Sequence, residues 1–216
     1  MCGIAGFSGE GNESDLHRMI AELKHRGPDH QAVCLSEETG MAHARLSIID
    51  INSRSNQPFF NSDKSVVLVY NGEIYNYKEL RESLRKEHGL SFHTNSDTEV
   101  LLGMYEVHGE NFLDQLNGMF AFALYDFRKK QMMLARDRMG KKPLYYGEFN
   151  GTLVFGSELK SILKHPLVTR ELNLDALNEY LTFEYVPTPN SIFKGIKKLE
   201  PAHYLVFQNG DRKSVV

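Results

Sequence analysis

MCGIAGFS, residues 1–8, places a cysteine directly behind the initiator methionine and follows it with an apolar run. This run predicts a short buried strand over residues 2–8, which stops at Gly9-Glu10-Gly11 because clustered glycines break strands. A small residue at position 2 permits removal of Met1. The segment therefore predicts a buried strand that begins at a thiol.

Cys2 is the first candidate for chemistry, because a thiolate is a strong nucleophile. A thiol needs a base, and the sequence immediately around Cys2 holds no histidine. An N-terminal cysteine carries its own base, since a free α-amine has a pKa of about 7.7–8.0 and is partly neutral near pH 7–8. The position alone is equally compatible with a small buried strand residue that has no chemical role.

The rest of the chain groups its predicted strands and helices in blocks rather than alternating them. Beyond the first strand, predicted strands cover residues 41–49, 65–70, 119–126, 131–136, 144–149, 152–156 and 202–208. Predicted helices run from a cap at Ser14 to about His25 and cover residues 77–88, 97–107, 157–163 and 175–183. This grouping favours an α+β domain with antiparallel sheets over a doubly wound parallel fold.

The bulk composition is that of an ordinary globular chain and excludes several classes of protein. The 216 residues carry a formal charge of -3, which gives no basic footprint for nucleic acid or for a membrane surface. We see no signal peptide before Cys2 and no run of the roughly 18 apolar residues that a membrane span needs. We therefore expect a cytoplasmic protein in which both thiols, Cys2 and Cys34, are free. The histidines show no metal-ligand spacing, so we expect no metal site.

A second candidate for chemistry is Asn71-Gly72-Glu73, which follows the β-branched run at residues 65–70. We predict that the strand stops at Asn71-Gly72 and presents backbone amides at its end. An asparagine side-chain N–H and a glycine backbone N–H can form an oxyanion hole for acyl transfer. The alternative is an ordinary turn, because Asn-Gly is a common turn dipeptide.

Two charged residues occupy positions where they require a partner. Arg45 lies in an otherwise apolar run, so its guanidinium needs an anion, either a substrate carboxylate or Asp50 in an internal ion pair. Asp97 begins a predicted helix, where it or Ser96 would serve as the N-terminal cap. Asp97 could instead face a substrate ammonium.

Taken together, these segments resemble the glutaminase domain of the class II glutamine amidotransferases, in the asparagine synthetase branch. The matching segments occur in order from residue 1 to about residue 165, and the match continues through Val186–Asn190 and Gly195–Leu205. They are MCGIAGF, HRGPD, RLSIID, YNGEIYN, SDTE, GMFAFALYD, ARDRMGKKPLYY and FGSELK. Each segment is weak evidence alone, but all of them in one order are strong evidence for the family.

The resemblance implies an N-terminal-nucleophile hydrolase fold, which is an α+β, four-layer αββα sandwich of two antiparallel sheets. It implies that residues 1–216 form a single class II glutaminase domain, with residues 2–212 as the matching core. The family's C-terminal ATP-dependent synthetase domain would be absent from this chain. Glutamine hydrolysis would need no cofactor, whereas the missing domain would use ATP and Mg²⁺. The expected partners are L-glutamine and that synthetase domain, with a homodimer as a further possibility.

The resemblance also assigns three residues to catalysis. Cys2 would be the nucleophile that attacks the glutamine amide, releases ammonia and forms a glutamyl thioester. Asn71 and Gly72 would form the oxyanion hole. Hydrolysis of the thioester would give glutamate, and the ammonia would serve asparagine synthesis from aspartate. The segment His25–Asp29 would be a structural loop near the site.

A substrate site follows from the same resemblance. Arg45 would hold the α-carboxylate of glutamine, and Asp97 with Glu73 would hold its α-ammonium. Backbone groups of Ile48 and Ile49 would line the pocket. The full set of substrate-binding residues implied is Arg45, Leu46, Ser47, Ile48, Ile49, Asn71, Gly72, Glu73 and Asp97.

Two other functions stay open at the level of the sequence. A glutaminase domain of this kind could serve an amidotransferase that acts on another carboxylate, such as a sugar acid, because the acceptor site belongs to the missing domain. A domain that senses glutamine without hydrolysing it would carry similar segments, although an intact Cys2 argues against it. Covalent labelling by a glutamine-mimic electrophile distinguishes this sensor from an enzyme.

Overall fold

Two antiparallel sheets face each other in the computed structural model, which describes residues 1–208 and 210–215. The strands are, in chain order, β1 Gly3–Ser8, β2 His30–Leu35, β3 Thr39–Arg45, β4 Phe59–Phe60, β5 Val66–Ile74, β6 Gly118–Asp126, β7 Gln131–Arg136, β8 Tyr145–Phe149, β9 Thr152–Gly156, β10 Ile196–Lys198, β11 Tyr204–Gln208 and β12 Asp211–Val215. Val216, the last residue of the predicted domain, lies outside the described residues.

The order of the strands places the beginning of the chain inside a sheet. The first sheet has the order β10–β8–β9–β1–β3–β2, and the second has the order β12–β11–β7–β6–β5–β4. Strand β1 pairs antiparallel with β3 on one side and with β9 on the other. Because β1 has a neighbour on each side, its position in the sheet is fixed, and Cys2 directly precedes it.

Helices cover the outer faces of both sheets. Helices α1 Glu13–Ala21 and α4 Leu159–Ile162 pack on the first sheet, and α2 Tyr77–His88 and α3 Asp97–His108 pack on the second. A fifth helix, α5 Leu174–Phe183, is largely exposed, and 3₁₀ helices lie at Ser53–Ser55 and Gly109–Gln115. Within the described part of the chain, no helix has both the length and the apolar character needed to cross a bilayer.

Three apolar clusters fill the spaces between these layers. The central cluster takes Ile4 and Phe155 from the first sheet and Val69 and Leu134 from the second. A second cluster joins the outer face of the first sheet to α1 and α4, and a third joins the outer face of the second sheet to α2 and α3. The layers are therefore helix, sheet, sheet, helix. This arrangement confirms the predicted α+β sandwich of two antiparallel sheets.

The ends of two predicted elements were wrong. The first helix is capped by Asn12, not Ser14: Asn12 accepts from the Asp15 N–H while the Asp15 carboxylate accepts from the Asn12 N–H, so two otherwise unpaired donors are bonded. The predicted strand over residues 41–49 begins at Thr39 and ends at Arg45, after which the chain turns away and forms one wall of a pocket.

The prediction that a strand stops at Asn71-Gly72 was also wrong. Strand β5 continues through both residues to Ile74, and Gly72 pairs with Phe120 of β6. A methyl group on Gly72 would lie 2.3 Å from the Met119 carbonyl oxygen, so the close pairing of the two strands requires glycine here. Asn71 and Gly72 therefore lie within a strand and do not form a turn.

Strands β2, β4, β10 and β12 were not predicted, and all are short or at a sheet edge. Strand β2 reads HQAVCL and is only partly buried, so its sequence lacks the apolar pattern of the central strands. Pairing with a distant strand stabilises such a segment, and this pairing is not visible in the local sequence.

Candidate active site

Cys2 lies at the start of β1 on the wall of a pocket of about 160 Å³. The Leu46 N–H donates to its Sγ at 3.4 Å, and Sγ lies 3.6 Å from the Leu46 carbonyl oxygen. Burial raises the pKa of the Cys2 thiol, while the Leu46 N–H, the α-ammonium of the chain and Arg45 oppose the increase. Met1 also lines the pocket, so the first residue stands where a substrate would approach the thiol.

The segment His25–Asp29 bonds to the backbone of Cys2 and to the backbone of the segment after β3, which is a structural role of the kind predicted for it. The Arg26 guanidinium donates to the Cys2 carbonyl oxygen at 2.9 Å and pairs with Glu158 at 2.9 Å. The Asp29 carboxylate accepts from the Ser47 N–H at 2.8 Å. The loop therefore fixes the start of β1 and the segment that follows β3 in one position.

Arg45 contacts loop oxygens and not a carboxylate. Its guanidinium donates to the carbonyl oxygens of Asp50 at 2.5 Å and Asn52 at 3.0 Å, and to the Asn56 side-chain oxygen at 2.6 Å. Arg45 does not form the ion pair with the Asp50 carboxylate that the sequence left open; it bonds the Asp50 carbonyl oxygen, and the carboxylate accepts from the Asn95 N–H. Arg45 thereby shapes the wall after β3 as well as contributing a positive charge to the pocket.

Asn71 supplies an unused donor on the opposite wall. Its side chain is 1% exposed and lines the pocket with Cys2, yet its Nδ2 has no hydrogen-bond partner within the described residues. A buried amide N–H without an acceptor is costly, so a polar group supplied by a ligand would satisfy it.

Asp97 is held in position by two donors from β5. Its Oδ2 accepts from the Tyr70 hydroxyl at 2.7 Å and from the Ile74 N–H at 3.0 Å. Burial raises the pKa of Asp97, and these two hydrogen bonds oppose the increase. Ser96, not Asp97, caps the helix through the Glu99 N–H. The carboxylate of Asp97 is consequently free of a capping role and lines the pocket.

A neutral histidine supports this arrangement from between the sheets. His43 is fully buried, and burial lowers its pKa to about 3. Its Nε2 lies 3.1 Å from the Tyr70 carbonyl oxygen. Because a carbonyl only accepts, Nε2 carries the ring proton and donates to it. His43 thereby helps to fix the strand that carries Tyr70 and Asn71.

The structure brings nearly all of the predicted site residues to one pocket. Those that line it are Cys2, Arg45, Leu46, Ile48, Ile49, Asn71, Gly72, Glu73 and Asp97. Ser47 is not among the lining residues, and it contributes its N–H to Asp29 instead. Further lining residues were not predicted for the site, although Ser96 was predicted as a helix cap: they are Ser55, Gln57, Tyr70, Ser96, Thr98, Met119 and Lys142. Their roles in chemistry, like those of the predicted residues, stay predictions.

A family model described as the glutamine amidotransferase domain matches residues 1–215, and the chain belongs to this family of enzymes. Among curated relatives, asparagine synthetase [glutamine-hydrolyzing] 2 of Bacillus subtilis (strain 168) is 41% identical over 95% of this chain and 28% of its own length. Asparagine synthetase [glutamine-hydrolyzing] 2 of Arabidopsis thaliana is 44% identical over 75% of this chain and 28% of its own. The chain thus spans less than a third of these relatives.

Solved structures agree on the fold. The allosteric regulatory enzyme of purine biosynthesis aligns with a TM-score of 0.73 at 21% identity, over 99% of this chain and 48% of that chain. Glutamine phosphoribosylpyrophosphate amidotransferase from B. subtilis, complexed with ADP and GMP, aligns with a TM-score of 0.69 at 22% identity, over 99% and 49%. The likeness confirms the N-terminal-nucleophile hydrolase fold.

The raised pKa of Asp97 predicts a measurable pH dependence of stability. The native state binds the Asp97 proton more tightly than the unfolded chain, whose aspartates titrate near pH ~3.9. This contribution to stability is present at low pH and is lost as pH rises through the native pKa. Asp97→Asn keeps an oxygen for both donors but removes the titration. The unfolding free energy of the wild type minus that of the variant should therefore fall as pH rises from about 4 to 8.

Urea denaturation at several pH values measures this difference. Asp114→Asn, at an exposed aspartate, is the matched control, and its difference from the wild type should change less with pH. A wild-type advantage over Asp97→Asn that grows with pH would contradict the account of Asp97.

Proposed function

We propose that this domain hydrolyses L-glutamine to glutamate and ammonia, with Cys2 as the nucleophile. The observation that carries the proposal is the buried Asn71 Nδ2, which has no partner among the described residues and lines the same pocket as the Cys2 thiol. Attack of a thiolate on an amide carbonyl places negative charge on the carbonyl oxygen, and a preorganised N–H donor stabilises that charge. Gly72, the next residue in β5, lines the same pocket and is the proposed second donor through its backbone N–H.

The charges of the pocket fit an amino-acid substrate. Arg45 of one sign and Glu73 and Asp97 of the other all line the pocket. A free amino acid carries an α-carboxylate and an α-ammonium, so it can pair with both sets at once. We assign the α-carboxylate to Arg45 and the α-ammonium to Asp97 with Glu73, while residues 46–49 form the wall.

The base in this proposal is the α-amine of Cys2 after Met1 has been removed. The amine takes the thiol proton as sulfur bonds to the amide carbon, and returns a proton to the departing nitrogen, which leaves as ammonia. Water that the amine then activates attacks the thioester, releasing glutamate and restoring the thiol. No atom of ATP and no metal ion enters this balance, so hydrolysis requires neither ATP nor Mg²⁺.

We further propose that the ammonia serves an ATP-dependent synthetase domain of the same polypeptide, which makes asparagine from aspartate. Two observations support this assignment: the relatives are named asparagine synthetases, and this chain spans less than a third of their length. We place the activity in the cytoplasm, because both cysteines are free thiols and a reducing compartment keeps them so.

Replacement of the two cysteines tests the nucleophile. Cys2→Ala should abolish ammonia release from glutamine, because no other group in the mechanism forms the thioester. Cys34→Ala, in the partly buried edge strand β2, should retain the wild-type rate. Ammonia is measured without ATP or Mg²⁺, and circular dichroism checks the fold. Equal activity in Cys2→Ala, or a strict need for ATP in the wild type, would overturn the proposal.

Replacement of Asn71 tests the oxyanion hole. Asn71→Ala removes the unpaired Nδ2 and should lower kcat roughly 10²–10³-fold, since the lost donor acts mainly on the transition state. Asn178→Ala, at an exposed position on α5, is the control and should leave kcat unchanged. Steady-state kinetics with glutamine separates the two effects. An Asn71→Ala variant that changed only KM would show that the side chain binds substrate without stabilising the oxyanion.

A further inference from the structure

Lys142 is a buried cation in the pocket of Cys2 that the proposed reaction does not use. Its side chain is 7% exposed and lines the pocket, and Lys141, its neighbour in sequence, is exposed. Within the described part of the chain, the Lys142 ammonium has neither a hydrogen bond nor an ion pair, although it carries three donors. The ammonium therefore faces the pocket without a partner from the described residues, and its charge can act on the other ionisable groups there.

The backbone around Lys142 is fixed, so the position of the side chain is not that of a loose loop. The Lys142 N–H donates to the Asp137 carboxylate at 3.0 Å, and its carbonyl oxygen accepts from Arg136 at 2.8 Å. Asp137 is itself 1% exposed and also accepts from the N–H groups of Met139 and Lys141. The loop from Asp137 to Lys142 therefore holds the lysine against the pocket.

Several charges share this space with the Lys142 ammonium. Burial lowers the pKa of Lys142 first, and the Arg26 guanidinium adds to the decrease, whereas Cys2, Asp137 and Glu73 oppose it. Burial raises the pKa of the Cys2 thiol first; among the nearby charges, the α-ammonium of the chain and Arg45 lower this pKa, and Asp97 raises it. Arg45 and Arg26 already donate to oxygens. In contrast to these two arginines, the Lys142 side chain makes no hydrogen bond within the described residues.

We propose that the Lys142 ammonium acts on the N-terminal catalytic pair through its charge, favouring the Cys2 thiolate and the neutral α-amine. A nearby positive charge stabilises an anion and disfavours a second cation, so one lysine shifts both groups toward their reactive forms. This role extends the proposed function, because it matters only if Cys2 is the nucleophile and its amine the base. It also gives a role to an unpartnered cation in the same pocket as a thiol that burial alone would keep protonated.

The pH dependence of Cys2 alkylation tests this proposal separately from glutamine hydrolysis. Protein without Met1 is treated with iodoacetamide from pH 5 to 10, and peptide mass spectrometry follows Cys2 and, as an internal reference, Cys34. The variants are Lys142→Gln and Lys142→Met, which remove the charge, and Lys142→Arg, which keeps it. Lys141→Gln is the matched control in the same loop. Thermal unfolding identifies which neutral variant is folded.

In both neutral variants the midpoint of Cys2 alkylation should rise by about one pH unit or more, with a roughly tenfold lower rate at pH 7. Lys142→Arg should stay near the wild-type midpoint, Lys141→Gln should match the wild type, and Cys34 should not change. An unchanged or lower midpoint in a folded neutral variant would overturn the proposal, and so would a Lys142→Arg shift as large as theirs. Failure of the proposed function has a different result: the wild-type protein would release no ammonia from glutamine, whatever the alkylation midpoints of the variants.

Discussion

The hydrogen bond from Arg26 to the Cys2 carbonyl oxygen is the interaction on which the arrangement of the site depends. A chain terminus ordinarily frays, because nothing precedes it to restrain it. Here Arg26 is itself anchored by Glu158, next to β9, so the first residues are bound to the sheet from a neighbouring strand. The thiol can therefore lie at a defined distance from Asn71 and Asp97, which belong to the other half of the sandwich.

The two sheets contribute different parts of the site, and their stacking brings these parts together. The first sheet provides the nucleophile through β1 and the Arg45 wall through β3, whereas the second provides Asn71 and Gly72 through β5. A hydrogen bond also joins the sheets across their mostly apolar boundary, from His43 of β3 to the carbonyl of Tyr70 in β5. Any change that alters the packing of the sheets would consequently separate the thiol from its proposed oxyanion donors.

The local sequence pattern was sufficient to predict helices and strands whose bounds depend on neighbouring residues in the chain. The helix at residues 77–88 and the strands at 131–136 and 152–156 have the predicted bounds. The helix has apolar residues at helical spacing, and the strand at 131–136 directly follows the turn at residues 127–130. The Asn71-Gly72 dipeptide was misread, because its turn preference is overridden by pairing with β6, 46 or more residues later in the chain. Lys142 and His43 were missed for a related reason: their burial depends on elements that are distant in sequence, and an isolated lysine or histidine reads as a surface residue.

The central claim is that a free α-amine on Cys2 is the base of the reaction, and the state of the N-terminus tests it most directly. Samples with Met1 removed and with Met1 retained are compared by intact-mass spectrometry and by ammonia release from glutamine. An amide nitrogen has its lone pair delocalised into the peptide bond and cannot act as a base. The account predicts that the Met1-retaining protein works at no more than about a few per cent of the processed rate. Full activity with Met1 retained would contradict it and would assign the base to another group.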